Sequence, residues 1–269
     1  MRFINPNLYI AAVAAVLLFL GTQFLFFKAR YKKALVIVSI VLLLVASVYP
    51  LALYKDILSN VSVYCKLRAL PFSEVFVVLG VPFFAISFIW VRKTVLGKWK
   101  KMVTGTNILM ILFCSLFVMM PFVKPIIRPY SFEFENKWLG GVCIQSTASS
   151  SGSACLATLF RLYGENMSEA EISEAAFSSL SGTESWYMAR YARSKGYTYE
   201  FSHIKNITEA TSPSIVGIKL ANYAQFITFM KKDGDSYYIG DPVTGTEILT
   251  AEEFAESYQL TGLALSIKK

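Results

Sequence analysis

The chain has 269 residues, 55% of them hydrophobic and 16% charged, which is too apolar for an ordinary soluble domain. Its net charge of +8 divides unevenly: residues 1–130 carry 15 Lys and Arg against Asp56 and Glu74, a net of +13, and residues 131–269 carry 11 against 16 acids, a net of −5. An acidic second half argues against a nucleic-acid partner. One histidine, with no CxxC or Cys/His cluster, argues against a metal site, and nothing points to a cofactor.

Four apolar runs fill the first half, at 8–27, 34–54, 75–91 and 102–123. A hydrocarbon core about 30 Å thick takes roughly 20 helical residues to cross. The runs therefore predict an α-helical membrane domain of four transmembrane helices, in contact with the lipid bilayer. Pro82 in the third run is tolerable in a membrane, where neighbouring helices re-satisfy the freed backbone groups. Only Arg2 precedes the first run, and no small-residue cleavage site follows it, so it reads as a retained anchor and not a signal peptide. Basic residues gather in "KARYKK" (28–33) and "VRKTVLGKWKK" (91–101), and short basic loops stay cytoplasmic. The expected order is N-terminus out, first loop in, second loop out, third loop in, C-terminal half out, in a bacterial cytoplasmic membrane. Lys124 sits near a run end, where it can snorkel, and no ion path is visible within the runs.

The connector 124–141, with two prolines followed by aromatics, predicts an extended segment near the bilayer surface. A helix is expected from Ser151 or Ser153 to about Gly164, with Ala154, Leu156, Leu159 and Phe160 apolar. A second begins at Ser168, whose capping box ends on Glu171, and runs to about Leu180. A third runs from Thr183 to Gly196. The period then changes. Strands are expected at 197–204, 213–220, 224–232 and 236–242, with hairpin turns at "KKDGDS" and "DPVTGTEI". A short helix at 250–258, capped by Thr250 with Glu253 three residues on, precedes a closing strand. Helices first and an antiparallel sheet afterwards make an α+β domain. The expected division is 1–127 for the membrane domain and 128–269 for the second domain.

The stretch "CIQSTASSSGSACLATLF" (143–160) presents Ser151 at a helix head, where the dipole favours an anionic nucleophile. A cysteine there, paired with an imidazole, would attack a peptide carbonyl. Gln145 could donate to the developing oxyanion, and Asp241, at a strand end, could orient the imidazole. Plainer roles stand beside these: Ser151 as a helix N-cap, Asp241 as a turn residue, Gln145 as scaffolding. Cys155 reads as a small buried residue on a helix face, although a Cys143–Cys155 disulfide is permitted if this half lies outside the cytoplasm.

Five segments in order resemble the C39 peptidase family, the papain-like leader peptidases of bacteriocin export. They are "CIQSTASSSGSACLATLFRLYG", "SGTESWYMARYARSKGY", "PSIVGIKLANYAQFITF", "YYIGDPVTG" and "LTAEEFAESYQLTGLALSI", together covering about 140–267. The resemblance implies a papain-like fold. It assigns the oxyanion glutamine to Gln145 and the orienting acid to Asp241, both kept. It puts Ser151 at the position of the nucleophilic cysteine and Gln225 at that of the catalytic histidine. Glutamine takes no proton at ordinary pH, and a serine without a base is a poor nucleophile. His203 as a displaced base and Cys155 as a displaced nucleophile are the alternatives.

Three functions follow as expectations. One is a pseudopeptidase that binds a peptide or leader segment. A second is a cysteine leader peptidase, cutting after Gly-Gly, represented by an inactivated variant. A third is a membrane accessory or assembly subunit with a membrane-protein partner.

Overall fold

The structure is a computed structural model that describes residues 3–55, 58–95, 100–130, 132–220 and 223–269, with the side chains of 49–55, 92–95 and 100–106 left undescribed. In chain order the first half forms α1 (Asn7–Lys28), α2 (Lys32–Lys55), α3 (Ser62–Arg68), a 3₁₀ helix (Ser73–Gly80) continuing into α4 (Val81–Val95), α5 (Lys100–Met119) and α6 (Val123–Ile127). Among the described residues three helices are long and apolar enough to cross a membrane: Asn7–Lys28, Ser73–Val91 and Asn107–Ile127. The protein is an integral membrane protein. The four expected spans are corrected to three. The run at 34–54 lies in α2, where the expectation of a span falls partly outside the described residues. Part of the expected basic loop at 91–101 likewise lies outside the described residues.

The chain divides into two compact units, one of Met1–Ile4, Asp56–Pro71 and Lys124–Lys269, the other of Asn5–Lys55 and Phe72–Val123. In the second of these, aromatic edges lock the helices: Phe19 meets Phe88 at 5.6 Å between ring centroids, and Phe84 meets Phe117 at 5.5 Å. Gly80 is needed there, since a Cβ at that position would stand 2.6 Å from the Phe117 ring. Glu74, which the sequence places in a loop, is fully buried at the start of a span and accepts from Asn7 Nδ2 at 2.9 Å. A buried carboxylate requires such donors.

The first unit holds β1 (Lys137–Leu139), β2 (Val142–Ile144), α7 (Ser151–Leu162), α8 (Glu169–Ala175), α9 (Ser185–Ser194), β3 (Thr198–His203), β4 (Ser214–Leu220), β5 (Tyr223–Asp233), β6 (Ser236–Asp241), β7 (Gly245–Leu249), α10 (Ala251–Ser257) and β8 (Gln259–Lys268). Six strands form one sheet in the order β3-β8-β4-β5-β6-β7, antiparallel at every pairing. This is a mixed helix-and-sheet domain. The core between the sheet and α10 includes Val216, Ile218, Ile227, Phe229, Ile239 and Phe254. On α7, residues 151–160 are all buried. Tyr163 and Gly164 close that helix, with Gly164 at φ +82° and Tyr163 Oη donating to Ile267 O of β8 at 2.6 Å.

Local signals held where they were self-contained. Ser168 accepts from Glu171 N, and the capping box of Thr250 and Glu253 forms in both directions. The Asp-Gly turn joins β5 to β6 with Asp233 opposite Ser236. The second helix stops early, at Ala175, because Phe177 takes a left-handed φ of +49° and Ser178 N turns back to Ser173 O. The connector is only partly extended. Tyr130 is buried, stacks edge-on with Phe132 at 4.8 Å, and donates to Ser149 O at 3.2 Å. The β1–β2 hairpin was not expected. Its turn needs Gly140 and Gly141, both at positive φ.

The segment 56–71 also belongs to this unit. Its helix α3 sets the Arg68 guanidinium over the Trp186 ring at 4.8 Å, and Arg190 Nη2 donates to Arg68 O at 2.5 Å. Removing Phe160, fully buried on α7 and edge-on to Tyr191 and Tyr197, tests the importance of this helix. Phe160→Ala is expected to cost about 3–5 kcal/mol, read as a lowered unfolding midpoint of the purified chain in detergent.

Candidate functional site

The site is built at the head of α7. Ser150 is the N-cap, but its hydroxyl accepts from Thr147 N and donates to Thr147 O, both at 3.0 Å, and makes no cap bond to the helix. Ser151 is therefore the first helical residue and not the cap the sequence allowed. Its hydroxyl accepts from Phe226 N of β5 at 3.3 Å, across to the sheet. Gly152 permits this approach. A Cβ there would stand 3.0 Å from Thr183 Cβ and 3.1 Å from Met188 Sδ, so only glycine lets the helix head close on α9. Two further bonds pin the helix. Cys143 N of β2 donates to Thr158 Oγ1 at 2.9 Å, and Thr228 Oγ1 of β5 donates to Cys155 O at 3.3 Å.

The sequence-assigned residues converge. Gln225 Nε2 donates to Gln145 Oε1 at 3.3 Å, one residue along β5 from the N–H that reaches Ser151. This bond uses the acceptor of Gln145 and none of its amide donors. Gln145 N donates to Pro242 O at 2.8 Å, tying the glutamine to the end of β6 beside Asp241. Asp241 itself is committed twice. Its Oδ1 accepts from Val243 N at 2.7 Å, the turn role, and its Oδ2 accepts from Tyr258 Oη at 2.9 Å. Ser151 and Gln225 are each only 5% exposed.

Two participants had no sequence signal of this role. Tyr258, at the end of α10, reaches both Asp241 and Glu247 at 2.9 Å, and burial followed by the Asp241 charge raises its phenol far above the ordinary value. Glu169 is fully buried and accepts from Ser146 N at 2.9 Å and from the Ser146 hydroxyl, holding the loop that carries Gln145.

The displaced alternatives are far from this chemistry. His203, the only histidine, is exposed on β3, three strand steps from β5 and four from β6, or about 14 and 19 Å at the usual strand spacing. Cys143 and Cys155 are free, buried thiols and not a disulfide. Burial pushes Cys143 up to about 12 and raises Cys155 as well. Both thiols stay protonated near neutrality, so Cys155 is no nucleophile. Among the described residues no group of acids, histidines and cysteines could hold a metal.

Residues 141–269 match the Peptidase C39 family. The C-terminal half is therefore similar to C39 peptidase domains. An uncharacterised protein of Methanothermobacter thermautotrophicus is 28% identical over 128 residues, which is 48% of this chain and 88% of the relative. The probable functional amyloid protease FapD of Pseudomonas aeruginosa is 26% identical over 127 residues, 42% of this chain but only 55% of that protein. Among solved structures, a double-glycine-motif protease from an AMS/PCAT transporter, in complex with the leader peptide, aligns over 52% of this chain and 97% of its own at 24% identity, with a TM-score of 0.42.

Two measurements check the site. Iodoacetamide at mildly alkaline pH should leave Cys143 and Cys155 unmodified in the folded protein and alkylate both after unfolding, read by intact mass. Gly152→Ala should cost about 1–3 kcal/mol by overpacking against Thr183 and Met188, read as a lowered thermal midpoint.

Proposed function

We propose that this protein is a membrane-anchored pseudopeptidase. Its C39-like domain binds an extended peptide or leader segment at the cleft around Gln145, Ser151, Gln225 and Asp241 and does not cut it efficiently. The observation that carries this reading is the bond from Gln225 to Gln145. Where a peptidase needs a base beside its nucleophile, this chain has a carboxamide that takes no proton, and the hydroxyl of Ser151 is engaged with a backbone N–H. Hydrogen-bond donors and acceptors remain for recognition, and proton transfer does not. The name of the Pseudomonas relative, a probable protease, agrees with a peptide or protein as the bound species.

Purified full-length protein should hydrolyse Gly-Gly leader peptides no faster than the uncatalysed control, with no change in Ser151→Ala. A turnover that Ser151→Ala abolishes would overturn the proposal. The double variant Ser151→Cys with Gln225→His restores a thiol and a base, and is expected to raise cleavage at least about 100-fold over the parent chain. An inert, well-folded double variant would remove the assignment of these two positions.

A further inference from the structure

A second site lies at the other side of the same sheet. β3 is its outer strand, and with α3 and α9 it borders a cavity of about 690 Å³. The walls bring together Lys66 of α3, Arg193 of α9 and Lys268 of β8, with one carboxylate, Glu200, and the rings of Tyr197 and Tyr199. Three cations face one acid. All three are exposed, and among the described residues none of them is in an ion pair. The volume suits a small ligand.

Leu70, also in its wall, stands three residues before Ser73 along the chain, where a span begins, and three residues reach at most about 10 Å. Cations flanked by tyrosines, close in sequence to a span, have the composition of the headgroup zone of a bilayer. The burial of Arg68 against Trp186 on the neighbouring turn holds Lys66 and Leu70 in place, so the cavity is built and not a chance gathering of surface lysines.

We propose that this cavity binds the phosphate of one anionic phospholipid headgroup. The site is separate from the cleft, whose residues lie on α7, β5 and β6, so it stands or falls without the pseudopeptidase reading. An acidic peptide would satisfy the same charges, but the three-residue tether to a span favours lipid.

Native mass spectrometry of the delipidated full-length chain in detergent tests it. One phosphatidylglycerol should be retained per chain, in preference to phosphatidylcholine. Lys66→Gln and Arg193→Gln should each weaken retention about fivefold, and Lys66→Arg should keep it. Lys268→Gln, at the exposed end of β8, should weaken it by a similar factor and tests the site without touching α3. Equal retention of the two lipids, or unchanged retention in these charge-removing variants, would overturn the proposal. Full displacement of phosphatidylglycerol by millimolar inorganic phosphate would make this a free-phosphate site. Tighter binding of a glutamate-rich peptide than of phosphatidylglycerol would make it a peptide site. Either result also overturns it.

Discussion

The C-terminal half depends on one constraint, the burial of the first ten residues of α7. A helix end normally leaves N–H groups that need water or caps. Here the head of the helix faces protein on all sides, and its composition follows. Ser, Gly, Ser and Ala come first because nothing larger fits against Thr183 and Met188. Leu156, Leu159 and Phe160 follow where the packing widens. Thr158 and Thr228 fasten the helix to β2 and β5. Below the head, Ser153, Ser173, Ser178 and Thr183 form a buried chain of hydroxyls, each with a partner within the cluster. A buried hydroxyl without a partner is costly, so the small polar residues are held as a set.

That burial gives the candidate site its character. Ser151 cannot move far, and its neighbours are set by the register of β4 with β5, in which Ile218 lies opposite Gln225 and Gly217 opposite Phe226. A shift of one residue would exchange the Gln225 side chain for the opposite face of the strand. Glu169 and Tyr258 act from either side. The first holds the loop of Gln145 and the second occupies one oxygen of Asp241. Asp241 thus shares the Tyr258 hydroxyl with Glu247 and takes the Val243 N–H as a further donor.

Much of this was legible because the signals were local. The Ser168 cap, the capping box of Thr250 and Glu253, and the Asp-Gly hairpin need only a few consecutive residues, and each appeared where its chemistry required. The motifs that carry the family resemblance were legible for the same reason. Features that depend on distant partners were not. The early stop of α8 rests on a left-handed Phe177, which neither its composition nor its period announces. Glu74 looked like a loop residue, yet it opens a span and is buried against Asn7. Hydropathy alone counted four membrane crossings, and three helices meet the requirement among the described residues.

By itself the sequence determined a membrane half and an acidic α+β half, and it brought Gln145, Ser151, Gln225 and Asp241 forward as candidates for one site. It could do so because residue type and spacing along the chain are enough to specify helix heads, turns and strand ends. Only the tertiary structure decided what those residues do to one another. Ser151 turned out to be tied to a backbone N–H and not to cap its helix, Gln225 to bridge to Gln145, and Asp241 to be taken by Tyr258. His203 was ruled out by its place on the outer strand. Hydrogen bonds between residues 75 and 80 positions apart exist only once the sheet has closed over α7, and no local pattern encodes them.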